Sequence, residues 1–167
     1  MTVIAWDGEI LAVDRQLTRD NTSFPGTKMV FLQGKAITWT NRQDVASLVL
    51  RWFKHQRPEE WPKVQETEEW SQIVYVDRAG ECWTLENYPI PLRVECQTAW
   101  GSGADVALGA LLSGKNAIDA VLIANRANIH CGFGVTYYRP RENTEKLWHI
   151  FHVDEKLYAN RRNLGEL

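Results

Sequence analysis

The sequence predicts an α+β fold in which antiparallel sheets are covered by helices. The elements run along the chain as strands, one helix, strands, two helices and strands. Several strands are joined by tight turns, which indicates antiparallel pairing because parallel strands need a longer crossover. The chain has 167 residues and shows no internal repeat or linker, so residues 1–167 are expected to form one domain.

Strand and turn signals alternate in the first part of the chain. Asp7-Gly8 is typical of a two-residue hairpin turn, and Pro25-Gly26 marks a turn in an otherwise polar stretch. Segments rich in β-branched or aromatic residues lie around these turns and around Gln33-Gly34. They are predicted as strands at residues 2–6, 9–13, 28–32 and 35–39.

Apolar residues at helical spacing predict the first helix at residues 42–54. The residues that share one face of this helix are Val45, Leu48, Val49, Trp52 and Phe53. Pro58 follows, and the chain then enters a Glu-rich loop at residues 66–69, which is expected to be solvated.

Strands and two more helices are predicted in the second half. An apolar stripe from Ala104 to Leu112 stops before Gly114, a common helix terminator, and a second stripe with small side chains runs from Ala117 to Ala124. The small side chains predict close packing of that second helix. The predicted strands are residues 73–76, 82–85, 92–96, 134–138 and 147–153.

Composition argues against several functional classes. A net charge of -2 without a basic cluster gives no reason to expect a nucleic-acid partner. No apolar run reaches the roughly 20 residues of a membrane helix, and the acidic N-terminal segment is unlike a signal peptide. A cytoplasmic location is therefore expected.

Cysteine and histidine spacing predicts neither a metal nor another cofactor. The three cysteines show no CxxC pattern, so neither a disulfide framework nor a zinc site is indicated. His149 and His152 lie in a predicted strand with side chains on opposite faces, which disfavours chelation. Neighbours in a strand likewise face apart, which disfavours a catalytic pair of His130 and Cys131.

Four short segments carry the functional information. Thr2 begins a strand pair whose second strand ends in Ala12-Val13-Asp14. Lys28 opens the next strand pair, and Gly101-Ser102-Gly103 opens a helix. The fourth segment, residues 124–132, contains Asn128 and Cys131 before Gly132.

Together, these segments resemble those of the proteasome-type peptidases over roughly residues 2–138. In particular, the short bacterial and phage-associated members share the stretch at residues 99–110. The resemblance implies an N-terminal-nucleophile hydrolase. It also implies a four-layer αββα sandwich, with two antiparallel sheets between helical layers.

The resemblance also implies a set of site residues. Thr2 aligns with the nucleophile, which becomes the first residue once Met1 is removed. Asp14 and Lys28 align with the charged partners of that nucleophile, and Ser102 aligns with a supporting hydroxyl.

The chemistry gives each of these residue types a reason. A threonine hydroxyl is a weak nucleophile that must lose its proton during attack. An α-amino group, with a pKa of about 7.7–8.0, is a suitable base, but only if Thr2 is the first residue. Lys28 would stabilise the developing alkoxide and lower the pKa of that amine, and Asp14 would hold Lys28 in place.

The sequence departs from the family pattern in three places. Asn128 stands where the family usually has an aspartate within reach of the nucleophile's amine, and Cys131 stands where it has a serine. Residues 36–41 lack the glycines that follow the Lys-bearing strand, so Thr38 or Trp39 is expected to crowd the pocket. These departures predict low activity on standard peptides.

Three functions remain open on these observations. The chain is a threonine-type peptidase acting on peptides or unfolded proteins, an amidase for a small amide, or a catalytically degenerate subunit with a structural or binding role. The resemblance implies a homo-oligomer, with a ring as the expected form, and an ATPase unfoldase as a candidate partner.

Overall fold

The computed structural model describes residues 1–63, 70–142 and 146–150. Within these ranges, antiparallel strands form two five-stranded sheets and one two-stranded sheet, accompanied by three α-helices. The predicted α+β class is therefore confirmed. Among the described residues, no helix is long and apolar enough to cross a membrane.

Twelve strands are present in the described part of the chain. They are β1 (Val3–Trp6), β2 (Leu11–Asp14), β3 (Gln16–Arg19), β4 (Thr22–Pro25), β5 (Met29–Leu32), β6 (Lys35–Trp39), β7 (Ile73–Val76), β8 (Cys82–Leu85), β9 (Leu92–Val94), β10 (Thr98–Gly101), β11 (Val135–Tyr138) and β12 (Trp148–Ile150). The helices are α1 (Gln43–His55), α2 (Ala104–Leu112) and α3 (Ala117–Ala127), with short 3-10 helices at Pro58–Glu60 and Pro140–Glu142.

The first sheet brings together strands from both ends of the chain. Its order is β10-β1-β2-β11-β12, so β1 lies between β10 and β2. Val3 is opposite Gly101 on one side, and Ile4 is opposite Val13 on the other. The second sheet has the order β5-β6-β7-β8-β9, in which every strand pairs with its neighbour along the chain.

Alternating side chains of β1 contribute to two apolar cores. Val3 and Ala5 pack with buried residues of α2 and α3, whereas Ile4 and Trp6 pack with buried residues of β5 to β8. This division follows from the period of two in a strand. The second core therefore joins the two five-stranded sheets.

A third core packs α1 against the second sheet. Val49 and Phe53 of α1 contact a cluster that includes Ile37, Trp39 and Tyr75. Residue 36 belongs to the core between the sheets, so neighbouring positions of β6 again face opposite ways.

The small side chains predicted on one face of α3 are buried. Ala117, Ala120 and Ala124 are fully buried in the core shared with α2 and the first sheet. Asn116 caps the helix, since its side-chain oxygen accepts a hydrogen bond of 2.9 Å from the backbone N–H of Asp119.

Two strand regions escape the sequence prediction. The polar stretch before Gly26 is not irregular, because its residues pair as β3 and β4. All residues of β4 are exposed, so this hairpin lacks the apolar alternation that reveals a half-buried strand. The strand β10 was not predicted, because it runs directly into the Gly-Ser-Gly turn that marks the start of a predicted helix.

Some predictions lie partly or wholly outside the described residues. The Glu-rich loop at residues 66–69 and His152 are outside them, as are residues 151–153 of the last predicted strand. Residues 148–150 of that strand form β12, which pairs with β11.

Candidate active site around Thr2

Thr2 lies immediately before β1, between the ends of the two neighbouring strands. β2 ends at Asp14, and β10 ends at Gly101, the residue opposite Val3. Only 3% of Thr2 is exposed. The pairing of the first sheet therefore brings Thr2 close to side chains that follow two other strands.

Lys28 joins Thr2 to Asp14. Its Nζ atom donates to Thr2 Oγ1 over 3.1 Å and lies 2.9 Å and 3.0 Å from the two carboxylate oxygens of Asp14. Lys28 comes from the second sheet, just before β5, and is 2% exposed. The backbone carbonyl of Lys28 accepts a 2.7 Å hydrogen bond from Thr38 Oγ1, which holds the lysine backbone in place.

Asp14 is the best-connected group of the site. Besides Lys28, its carboxylate accepts backbone N–H bonds from Val3 (3.0 Å), Gln16 (3.0 Å) and Gly132 (3.3 Å). Complete burial raises the pKa of Asp14, whereas the Lys28 ammonium and the N–H donors lower it. These donors match an ionised carboxylate, so Asp14 holds Lys28 as a charged partner.

Ser102 contacts the backbone of Thr2 from the other side. The Thr2 N–H donates to Ser102 Oγ over 3.3 Å, and Ser102 Oγ donates to the Thr2 carbonyl at the same distance. The Gly103 N–H also reaches the Thr2 carbonyl, at 3.4 Å. Thr2 is therefore held through its backbone by Ser102 and through its side chain by Lys28.

Gly101 is required by the close approach of two strands. Its φ is +90°, in the region that L side chains rarely adopt, and a Cβ atom there would lie 2.1 Å from the Thr2 carbonyl oxygen. Gly103 is also crowded, since its Cβ would lie 2.8 Å from Val3 Cβ. The Gly-Ser-Gly turn thus lets Ser102 approach Thr2.

We expect Gly101→Ala to destabilise the protein by about 1–3 kcal/mol or more, because it combines backbone strain with a clash against Thr2. Gly109→Ala is the matched control. Gly109 lies in α2 with no atom within 4 Å of an added Cβ, so alanine should stabilise by about 0.4–1 kcal/mol. Thermal unfolding of both variants checks the pair, and equal effects would contradict it.

A cavity of about 490 Å³ adjoins the Thr2 site, and we call it the Thr2 cavity. Gly101 and Ser102 form its wall towards Thr2. The remaining lining comes from the chain around the ends of β6, β7 and β8. These lining residues are Thr40, Asn41, Trp70, Gln72, Glu86 and Asn87.

Thr38 and Trp39 do not line this cavity, contrary to the expectation that one of them crowds the pocket. The Thr38 hydroxyl bonds to the Lys28 carbonyl, and Trp39 packs in the α1 core with its indole N–H donated to Gln43 over 3.0 Å. Asn41 has a φ of 58°, a left-handed conformation that asparagine tolerates where glycine is usual.

Two solved structures resemble the chain in fold. One is BPH of Thiobacillus denitrificans in complex with epoxomicin, with a TM-score of 0.60 and 14% identity, covering 82% of this chain and 96% of that one. The other is BPH of the same organism, with a TM-score of 0.59 and 13% identity, covering 92% and 99%. BPH is a bacterial proteasome homologue. The chain has a proteasome-like fold.

The likeness concerns the fold, because the sequence identities are low. No family model matches the chain, and no curated protein matches it. The proteasome-like fold links four of the predicted site residues by hydrogen bonds, in the order Ser102, Thr2, Lys28 and Asp14.

Asn128 takes part in a different contact from the expected one. Its Nδ2 donates to the Ser102 carbonyl over 2.8 Å, and its Oδ1 accepts from the His130 N–H over 2.9 Å. It thus acts on Ser102, the residue that holds the Thr2 backbone. An aspartate at this position could not make the first bond, because a carboxylate has no hydrogen to donate.

Cys131 is buried beneath Ser102. Its Sγ lies 3.9 Å from Ser102 Oγ, and burial, reinforced by the Asp14 charge, raises the pKa of the thiol to about 12. The thiol is therefore protonated at neutral pH and is not a competing nucleophile. Among the described residues, no group of three or more histidine, cysteine or acidic side chains could hold a metal ion.

Most of the lining of the Thr2 cavity was not predicted from the sequence. Apart from Gly101 and Ser102, its residues come from separate segments of the proteasome-like fold and form no motif with their sequence neighbours. The one local signal was Asn41, an asparagine directly after a strand and before a helix. The other lining positions become neighbours only when the sheets pack together.

Proposed function

We propose that the chain is an N-terminal-nucleophile hydrolase of the threonine endopeptidase type. Thr2, made N-terminal by removal of Met1, attacks a peptide amide. The observation that carries the proposal is the contact of one buried ammonium, Lys28 Nζ, with both Thr2 Oγ1 and the Asp14 carboxylate. A solvated strand-end lysine would have no reason to be 2% exposed against a threonine hydroxyl.

The contact of Lys28 with Thr2 Oγ1 supports an acyl-transfer reaction at that hydroxyl. The Thr2 hydroxyl proton passes to the free α-amine while Oγ1 attacks the scissile carbonyl, and Lys28 stabilises the negative charge at Oγ1. The amine then returns the proton to the leaving nitrogen, which gives an ester on Thr2. Water activated by the same amine hydrolyses that ester and restores the hydroxyl.

Ser102 is placed to orient the base. Its hydroxyl contacts the Thr2 nitrogen at 3.3 Å, which is an amide nitrogen while Met1 is attached. In the processed chain the same hydroxyl would contact the α-amine. Asn128 fixes the Ser102 backbone, so it serves as a positioning residue in this proposal.

Met1 is the group that must leave first. It is 49% exposed, and its carbonyl oxygen accepts a 3.0 Å bond from Lys28 Nζ. Removal of Met1 would convert the Thr2 amide into a basic amine and release one acceptor from Lys28. The exposed side chain favours access by a processing enzyme.

The proposal includes a four-layer αββα arrangement of one domain and a cytoplasmic homo-oligomer. Three apolar cores support the layered arrangement, one between the two sheets and one between each sheet and its helices. Exposed apolar side chains at Tyr88, Ile90 and Leu112 support an assembly, for which a ring served by an ATPase unfoldase is the form proposed. The native mass of the purified protein tests the assembly.

Epoxyketone labelling tests the proposed nucleophile. Intact mass first separates chains that retain Met1 from chains that begin at Thr2, and both are incubated with a peptide epoxyketone. We expect a covalent adduct at Thr2 only in chains that lack Met1, because only these carry the free amine. The fraction that retains Met1 is the internal control.

Two labelling results would count against the proposal. An adduct on chains that retain Met1 would show that the α-amine is not required. Chains that begin at Thr2 but take up no label would favour a degenerate subunit with a structural role. A small-amide hydrolase would be favoured by labelling without hydrolysis of any peptide.

A further inference from the structure

Among the described residues that line the Thr2 cavity, one has a charged side chain, Glu86. Ser102 is shared between this cavity and the Thr2 site, since Ser102 Oγ lies 3.3 Å from the Thr2 nitrogen. A group bound in the cavity would therefore lie next to the bond that Thr2 attacks. The side chains that line the cavity would decide which chemical groups bind there.

Several neutral polar groups of the lining are already engaged with each other. Thr40 and Gln72 exchange two hydrogen bonds, from Thr40 N–H to the Gln72 carbonyl (3.0 Å) and from Gln72 N–H to Thr40 Oγ1 (3.2 Å). Asn41 Nδ2 donates to the Trp70 carbonyl over 3.1 Å. These bonds connect the ends of β6 and β7 and give that wall a fixed shape.

Glu86 is different from these residues because its charge is unmatched. It is exposed, and within residues 1–63, 70–142 and 146–150 no lysine, arginine or histidine forms a salt bridge with it. The described residues that line the cavity include no cationic side chain. The negative charge of Glu86 therefore favours a cation in the cavity and disfavours an acidic group.

Trp70 adds a surface suited to the same kind of ligand. Its ring packs against Trp61 at a centroid distance of 5.6 Å, and its carbonyl is held by Asn41, so the residue is fixed at the cavity wall. An indole face attracts Lys and Arg cations and also packs against their methylene stems.

We propose that the Thr2 cavity selects a lysine or arginine side chain next to the scissile bond, with Glu86 as the residue that determines this specificity. This inference rests on the proposed function, because it names the substrate class of that site. Glu86 pairs with the cationic end of the side chain, and Trp70 contacts its apolar stem. Acidic residues at the same substrate position are rejected by the Glu86 charge.

Binding of uncleavable product peptides tests the inference separately from catalysis. The probes are acetyl-Ala-Ala-Arg, acetyl-Ala-Ala-norleucine and acetyl-Ala-Ala-Glu with free carboxylates, titrated into the full protein and followed by NMR or calorimetry. We expect the affinity to be highest for the Arg peptide, lower for the norleucine peptide and lowest for the Glu peptide. Glu86→Gln should reduce the ratio of Arg to norleucine affinity by about 2- to 5-fold, as for an exposed ion pair. Glu86→Lys should bind the Glu peptide more tightly than the Arg peptide.

Glu95→Gln is the matched control, because Glu95 is exposed and lies outside the cavity lining. It should leave all three affinities unchanged.

Three results would overturn the inference: equal affinities for the three peptides, no binding of any of them, or an unaltered preference for Arg in Glu86→Gln. Hydrolysis of the matching substrates is measured in parallel with the wild-type protein. A preference for Arg in binding without hydrolysis would overturn the proposed function alone, and hydrolysis without that preference would overturn this inference alone.

Discussion

Thr2→Ala should abolish amide hydrolysis, with a loss of about 10³-fold or more, while the fold is retained. The loss is large because, in the proposed mechanism, Oγ1 is the atom that forms the covalent bond, and a missing nucleophile cannot be replaced by the rest of the site. The neighbouring candidates do not compensate. Ser102 is engaged with the Thr2 backbone, and the Cys131 thiol is buried and protonated.

Fluorogenic peptide hydrolysis and thermal unfolding check this prediction together. Thr22→Ala is a suitable control, since Thr22 is an exposed threonine next to the turn of the β3–β4 hairpin, where it pairs with Arg19. It should change neither rate nor stability. A near-normal rate in Thr2→Ala would move the active site elsewhere, and a comparable loss in Thr22→Ala would show that the effect is not specific to the nucleophile.

Lys28→Met should have the largest effect on stability, a loss of about 3–5 kcal/mol. The substitution leaves the Asp14 carboxylate completely buried without its cationic partner. Hydrolysis should also be lost, because the same ammonium contacts Thr2 Oγ1. Denaturant unfolding measures the stability change, and Lys115→Met, at an exposed loop position, should have little effect.

The loss of stability in Lys28→Met should depend on pH. Burial raises the pKa of Asp14 above 3.8, and removal of Lys28 takes away a charge that lowers it, so the folded-state pKa rises further. A carboxyl group whose pKa is higher in the folded state stabilises that state at pH values below its unfolded-state pKa. This contribution is lost as the pH rises through the folded-state pKa. The stability of the variant should therefore be closest to that of the wild type in acid and should fall furthest below it at neutral and alkaline pH.

A double variant separates the lone charge from the loss of packing. Adding Asp14→Asn to Lys28→Met removes the unpaired carboxylate, so part of the stability should return and the pH dependence should disappear. A double variant with no recovery would mean that the ion pair is not the source of the effect. A pH profile in Lys28→Met parallel to wild type would mean the same.

Local patterns explain how far the fold could be predicted. The second sheet pairs neighbours along the chain, and its strands Ile73–Val76 and Cys82–Leu85 were predicted with the bounds they have in the structure. The β3–β4 hairpin was missed because its exposed strand carries no apolar alternation. β10 was missed because its partner, β1, lies almost a hundred residues away, and no local signal reports such a pairing.

The same distinction applies to the site. Thr2, Asp14, Lys28 and Ser102 each lie in a short segment next to a turn or strand end, so a resemblance read segment by segment could find them. The contact of Asn128 with Ser102 could not be found in this way, because it depends on where the end of α3 lies relative to β10. Apart from Gly101 and Ser102, the lining of the Thr2 cavity comes from segments that meet only when the chain folds, and it forms no motif in the sequence.

The hydrogen bonds around Thr2 have long sequence separations, which has a consequence for folding. The Thr2 nitrogen is held by Ser102, 100 residues later, and Asp14 is bonded by Gly132, 118 residues later. Contacts between residues so far apart form only after long loops have closed, and such closure slows folding. The surroundings of Thr2 are therefore expected to be completed late in folding, after local strand pairs such as β5–β6 and β7–β8 have formed.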